Sequence, residues 1–364
     1  MLERIPLTEP DIGNDELENV VKAVKSGWVS SKGQFIEEFE KGFCAYVGAK
    51  HGITTCNGTT ALHLALSALG IGKGDTVLVP SLTFIASANA VTYTGAKPVL
   101  VDSHPEYWCM DPSKIEKAID HRTKAVLIVH LYGHPCDMDE LTKIAEDKSL
   151  IIVEDCAEAL GAEYNGKRVG TSGTVSCFSF YGNKIITTGE GGMCLTDDDE
   201  LAEKMKMLRD HGMNPQKKYW HDVVGFNYRM TNLQAALGVA QLKKIDFLVQ
   251  KKREIASTYK GFFKKLDVAT APEMPWAKSV YWLYSILVER SLRDKIIKHL
   301  YDKNIETRPF FHPLHTLPPY KTGTSLPIAE DLSARGINLP TGTKLTVREM
   351  ERVADVLGSA LRLS

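Results

Sequence analysis

No apolar run in this 364-residue sequence is long enough to span a membrane, no Cys-x-x-Cys pair occurs, and no Gly-x-Gly-x-x-Gly turn opens an early strand-to-helix unit. The first absence excludes a helical membrane anchor. The second removes the paired-thiol signature of zinc and redox motifs. The third removes the phosphate turn that a nicotinamide-binding Rossmann domain needs. Net charge is nearly absent as well: 44 Lys and Arg stand against 45 Asp and Glu, a formal −1. Such a chain offers no broad field to nucleic acid or to an anionic membrane, so any phosphate it recognises must be met locally. Its seven cysteines, Cys44, Cys56, Cys109, Cys136, Cys156, Cys177 and Cys194, are odd in number and widely spaced. They fit free thiols in a reducing compartment. The first ten residues lack a basic stretch followed by an apolar core, and the expected location is cytoplasmic.

Hydrophobic residues make up 43% and charged residues 24%, the balance of a globular protein. The length suits a large domain plus a smaller one, expected at 1–240 and 241–364. Short β-rich runs at 76–80, 98–102, 125–131, 150–154 and 175–180 alternate with helical stretches such as 60–69 and 138–148. Strands apolar on both faces, separated by helices, predict an α/β fold with a largely parallel sheet, its functional residues on loops at strand C-terminal ends. Before them, residues 14–27 place Leu17, Val20, Val21 and Val24 on one helical stripe, with Asn14 as N-cap and Gly27 as stop. This reads as an amphipathic helix docked through that stripe. From about Leu237 long helical segments predict a smaller α/β lobe, and the proline-rich stretch 309–321 is expected as an ordered loop within it.

Several stretches carry chemistry. Asn57-Gly58-Thr59-Thr60 sets a glycine and two hydroxyls at the start of a strongly apolar helix. Free N–H groups there hold a phosphate, or the threonines simply cap the helix. Ile151 to Glu158 is a buried-strand pattern ending in acids, among them Asp155. Such a carboxylate caps a helix, ligates a metal or pairs with a protonated ring nitrogen. Lys184 follows an aromatic strand and precedes a glycine-rich turn, where a lysine is either a solvated surface charge or a covalent catalyst. His130, His134 and Cys136 lie at a strand end without helical ligand spacing, so no metal site is expected. His312 and His315 flank Pro313 in the proline-rich stretch, and structural or substrate-contact roles suit both. The stretch from Gly27 to Gly33 is either a helix exit or part of a site mouth.

In chain order, Asn-Gly-Thr-Thr (57–60), Ser-Leu-Thr-Phe (81–84), Glu-Asp-Cys-Ala-Glu (154–158), Ser-Phe-Tyr-Gly-Asn-Lys (179–184) and Gly-Phe-Asn-Tyr-Arg-Met-Thr-Asn (225–232) resemble the DegT/DnrJ/EryC1/StrS sugar aminotransferases. The resemblance covers nearly the whole chain. It implies the fold type I scaffold of pyridoxal 5′-phosphate enzymes: a large domain with a mostly parallel sheet sandwiched by helices, a smaller C-terminal α/β domain, and a homodimer with active sites shared between subunits. It makes Lys184 the Schiff-base lysine and Asp155 the partner of the pyridine nitrogen. Gly58, Thr59 and Ser179 become the phosphate cradle, Phe84 the ring stacked on the cofactor, and Asn227 a phosphate contact from the other subunit. Glu158 falls near the cofactor's ring hydroxyl. Within the family, the stretches 130–139, 183–193 and 308–315 are most similar to GDP-perosamine synthases.

The implied reaction moves the amino group of L-glutamate to C4 of a nucleotide-linked 4-keto-6-deoxy sugar. On the similarity to perosamine synthases this is GDP-4-keto-6-deoxy-D-mannose, giving GDP-perosamine and 2-oxoglutarate; a UDP- or dTDP-linked sugar is the alternative. Lys184 would shuttle the proton as base and then acid. The sugar diphosphate needs local cations, for which Arg229 and Arg308 are the candidates, with His312 as a further substrate contact. A dehydratase of the same family carries histidine in place of the lysine, and Lys184 argues against it. A non-catalytic, cofactor-binding regulatory protein would be expected to lose Lys184 or Asp155, and both are present.

Overall fold

The computed structural model describes residues 3–270 and 273–362, so residues 1–2, 271–272 and 363–364 of the two expected lobes lie outside the described residues. Its main sheet has seven strands. In chain order they are β1 (His51–Thr55), β2 (Thr76–Pro80), β3 (Lys97–Val101), β4 (Thr123–Val129), β5 (Ile151–Asp155), and the strands Val175–Ser179 and Gly192–Thr196. Across the sheet the order is β1, Gly192–Thr196, Val175–Ser179, β5, β4, β2, β3. The five strands from Val175–Ser179 to β3 run parallel. Gly192–Thr196 runs antiparallel to both of its neighbours. β2 and most of β4 and β5 are buried on both faces, which is why these sequences show apolar runs rather than alternation. The loops that follow the parallel strands gather along one edge of the sheet.

The first helix, α1 (Asn14–Ser26), overturns the expected facing. Gly13, not Asn14, is its N-cap, while Gly27 ends it in the left-handed region at φ 75°. Glu16, Asn19 and Ala23 form the buried face, and Leu17, Val21 and Val24 are exposed, with Val20 half-buried. The reversal has a polar cause. Glu16 Oε1 accepts from Gln241 Nε2 at 2.7 Å and pairs with Lys244 Nζ at 2.9 Å, and Asn19 Nδ2 donates to the Ala236 carbonyl at 3.2 Å. Side chains with such partners are stable inside, so the apolar stripe is turned outward.

The second lobe is built on a four-stranded antiparallel sheet in the order Ala269–Thr270, Tyr284–Leu287, Gly336–Leu339, Arg308–Pro309. The helices Ile245–Phe263, Arg293–Asp302 and Val347–Leu361 bury Tyr259, Leu300 and Leu357 with Ile286 and Ile337. Ile5 belongs to this core and bridges to Ile305, so the first described residues pack on the second lobe. The stretch 309–321 is ordered, but it leaves the small lobe. Leu314 is buried with the large-lobe core, its N–H donates to the Ser81 carbonyl at 2.8 Å, and Tyr320 Oη donates to Asn89 Oδ1 at 2.6 Å. Burial of Leu314 favours the large lobe over solvent. No helix among the described residues is long and apolar enough to cross a membrane.

Candidate active site

A cavity of about 460 Å³ opens where the parallel strands end, and it brings together Gly58, Thr59, Phe84, Asp155, Glu158, Ser179, Lys184 and Arg308. The helix Gly58–Ala68 starts at its wall, capped by Asn57, whose Oδ1 accepts from Thr60 N at 2.9 Å. The cap is therefore asparagine rather than threonine, and the N–H groups of Gly58 and Thr59 have no protein acceptor among the described residues. Glycine is required at 58 because a Cβ there would lie 2.7 Å from Ser179 Cβ. The helix start and the end of a central strand thus meet backbone to side chain, leaving a cradle of N–H donors and a hydroxyl suited to a phosphate.

Asp155, the last residue of β5, is buried. Its Oδ2 accepts from Ser87 Oγ at 2.8 Å and its Oδ1 from Ala157 N at 3.1 Å. Burial outweighs these bonds and pushes its carboxyl above the usual range. A cation placed against it in the cavity would reverse that preference. Glu158 is also buried, with Oε2 accepting from Tyr132 N at 2.9 Å and Oε1 lying 3.9 Å from Lys184 Nζ. Burial pushes Glu158 up to about 7. Tyr132 holds a left-handed φ of 51° next to Gly133 at φ 102°, where a Cβ would come within 2.8 Å of the Tyr281 and Trp282 amides. The turn that binds Glu158 is therefore pressed against the small-lobe chain.

Lys184 sits in the loop after Val175–Ser179 with Nζ 3.7 Å from the ring centroid of Trp282, whose Nε1 donates to the Asn183 carbonyl at 2.7 Å. Desolvation lowers the lysine's pKa against the opposing pull of Glu158 and Asp155, which favours a neutral, nucleophilic amine. Phe84 reaches the rim, its ring centroid 5.8 Å from that of Phe311. N–H cradle, buried carboxylate and desolvated amine together suit a phosphorylated pyridine aldehyde such as pyridoxal 5′-phosphate.

Asn227, Arg229 and His312 are not on this cavity's wall. Asn227 Oδ1 accepts from Arg229 Nε and Nη2 at 3.1 and 2.8 Å, and Arg229 also pairs with Asp210. His312 is exposed beside Phe311. The segment from Gly27 to Gly33 lies off the wall too, held through Asn232 Nδ2 donating to the Trp28 carbonyl at 2.7 Å. His130, Glu154 and Cys156 lie close enough together to hold a metal, but the first two are already engaged. His130 Nδ1 accepts from Cys136 N at 2.9 Å and Nε2 lies 3.1 Å from Glu154, whose carboxylate also accepts from Gly170 N and Ser172 N, each at 2.8 Å. Three contributors escaped sequence reading: Ser87, Tyr132 and Trp282. Each acts through a long-range contact with no local signature, although Tyr132 falls within the stretch 130–139.

The relatives bear on this arrangement. The chain is 48% identical over 367 residues to GDP-perosamine synthase of Caulobacter vibrioides, covering 99% of each. It is 49% identical over 344 residues to GDP-perosamine synthase of Escherichia coli O157:H7, covering 94% of each. The Streptococcus pneumoniae protein Spr1654 in its PLP-form has the same fold, with a TM-score of 0.95, 29% identity and 99% of both chains covered. Residues 10–358 match the DegT/DnrJ/EryC1/StrS aminotransferase family, and the chain belongs to that family.

Proposed function

We propose that this chain transfers the amino group of L-glutamate to C4 of GDP-4-keto-6-deoxy-D-mannose, yielding GDP-perosamine and 2-oxoglutarate, with pyridoxal 5′-phosphate as cofactor. The observation that carries the reaction type is the meeting of buried Asp155 and desolvated Lys184 in one cavity. The choice of sugar draws on the two perosamine synthases above.

When bound, the cofactor supplies an electron sink that stabilises the carbanion left as a C–H bond of the donor or the sugar breaks. Gly58 N–H, Thr59 N–H and the Ser179 hydroxyl would hold its phosphate. Asp155, fixed by Ser87 and Ala157, would keep its ring nitrogen protonated, and Phe84 would bound the ring's site. Lys184 would bind its aldehyde carbon and, as a free amine, would serve as base and then acid in moving the proton of the reacting carbon. The Trp282 ring face stabilises its ammonium form between those steps. Arg308, on the cavity wall with its side chain half-exposed, meets the sugar diphosphate.

The same reading includes a homodimer in which Asn227 completes the partner's phosphate site. Supporting it are the outward apolar stripe of α1 and the exposed Tyr219, Trp220 and Val224 near Asn227. A cytoplasmic location accords with seven unpaired cysteines.

The test loads the enzyme with cofactor, adds L-glutamate, removes the excess, and follows visible absorbance as either the GDP- or a UDP-linked 4-keto-6-deoxy sugar is added. Recovery of the band with the GDP sugar alone is expected. Recovery with the UDP sugar alone would replace the substrate, and a Lys184→Ala enzyme that still responds to glutamate at the wild-type rate would overturn the reaction.

A further inference from the structure

A lysine that takes a proton from one carbon and delivers it to another must first be a neutral amine, so a neighbour able to accept its extra proton prepares it for the next transfer. Lys184 Nζ is shielded on one side by the Trp282 ring at 3.7 Å, and the carboxylate paired with it is Glu158, with Oε1 at 3.9 Å. Asp155 is committed elsewhere, to the Ser87 hydroxyl and the Ala157 amide. Glu158 is divided: Tyr132 N–H fixes Oε2 at 2.9 Å, while Oε1 is left to face the lysine. We propose, resting on the aminotransferase reading above, that Glu158 is a catalytic residue that exchanges one proton with Lys184. In one direction an Nζ–H bond breaks and an Oε1–H bond forms, leaving a neutral amine and a carboxylic acid; in the other, the same proton returns.

The 3.9 Å gap closes by a side-chain torsion or one bridging water, and catalytic contacts commonly tighten only with substrate in place. Burial narrows the gap between the pair, pushing Glu158 up to about 7 and lowering Lys184, so it favours the transfer from amine to carboxylate. Other groups bias it. The charges of Asp155 and Cys109 oppose ionisation of Glu158, the Tyr132 phenol near it is kept protonated by burial and accepts from Phe311 N, and Arg308 opposes protonation of Lys184.

Glu158→Gln keeps an acceptor for Tyr132 N–H and removes the titrating oxygen. In the cofactor-loaded variant, the pH midpoint of the visible absorbance should move down by about one unit or more. The single-turnover rate with L-glutamate should fall about 100-fold and lose its limb near pH 7, with the half-saturating glutamate concentration little changed. Glu158→Asp, which retains a carboxyl, should recover that limb. A Glu158→Gln enzyme with wild-type rate and midpoint would overturn the proposal, reducing Glu158 to a support for the Tyr132 turn. If Glu158→Gln fails to hold cofactor, absence of the limb in Glu158→Asp overturns it equally. A wild-type enzyme whose absorbance does not respond to glutamate would instead overturn the aminotransferase reading, and the proposal with it.

Discussion

Lys252 shows what a single residue contributes without touching the cavity. It is only 4% exposed, and Nζ donates to the Trp282 carbonyl at 3.0 Å and to Thr341 Oγ1 at 3.3 Å. Burial brings its amine down to about 7 from about 10.5. Between those values the unfolded chain binds more protons than the folded one, so stability rises with pH across that interval and is lowest below 7. Relative to Lys252→Met, the wild type should therefore gain roughly 2–3 kcal/mol between pH 6 and pH 9, measured by urea unfolding at each pH. A difference that does not change with pH would mean that the folded-state amine keeps its proton throughout this range, as a solvated lysine does. The sequence hides this residue. Lys251, Lys252, Arg253 and Glu254 form one charged run, and only the phase of the helix against the small lobe selects which lysine goes inside. Ser87 and Trp282 escaped notice for a similar reason, since their partners Asp155 and Lys184 lie far away along the chain. Asp155 stands out because it closes a strand, and Lys184 because it follows one in a loop with distinctive neighbours.

At the scale of elements, legibility followed burial. Four of the five parallel strands announce themselves because burial on both faces demands continuous apolar runs, whereas the edge strand β3, half-buried over most of its length, shows through its Val99-Leu100-Val101 run. β1 and Gly192–Thr196 did not: one begins with His51-Gly52 and the other with a glycine after a glycine-rich turn, both weak strand signals. α1 was read with the right ends to within a residue and the wrong face. Periodicity finds a stripe, but which surface covers it depends on what the opposite face can bond. The junction of the helix Gly58–Ala68 with the strand Val175–Ser179 is where two elements build the candidate site jointly. A methyl at position 58 would sit 2.7 Å from Ser179 Cβ and 3.1 Å from its Oγ, forcing helix start and strand end apart at a typical overpacking cost of about 1–3 kcal/mol. Gly58→Ala should accordingly weaken cofactor binding by roughly 10- to 100-fold while the far-ultraviolet circular dichroism stays that of the wild type. Titration of the apo-protein with pyridoxal 5′-phosphate measures it, and unchanged affinity would remove the phosphate from this cradle.

Across the whole molecule, the lobes proposed at 1–240 and 241–364 exchange pieces. Ile5 joins the small-lobe core, Leu314 joins the large-lobe core, and Trp282 from the small lobe lies under Lys184. The surface left over is informative in the same way. Leu17 is 61% exposed, Val24 56% and Val224 91%, bare apolar side chains of the kind that an interface covers. If a second copy covers them, Asn227 and Arg229 are carried toward that copy's cavity, which accounts for their position off the wall of their own. Leu17→Ser combined with Val24→Ser tests this at little cost to the fold, because both side chains are already exposed and substitutions at such sites shift stability by about 0.5 kcal/mol or less. The double variant should sediment as a monomer, bind cofactor phosphate more weakly and lose most of its transaminase activity. A variant that remains dimeric would place the interface elsewhere, whereas a fully active monomer would show that Asn227 has no part in a neighbour's site.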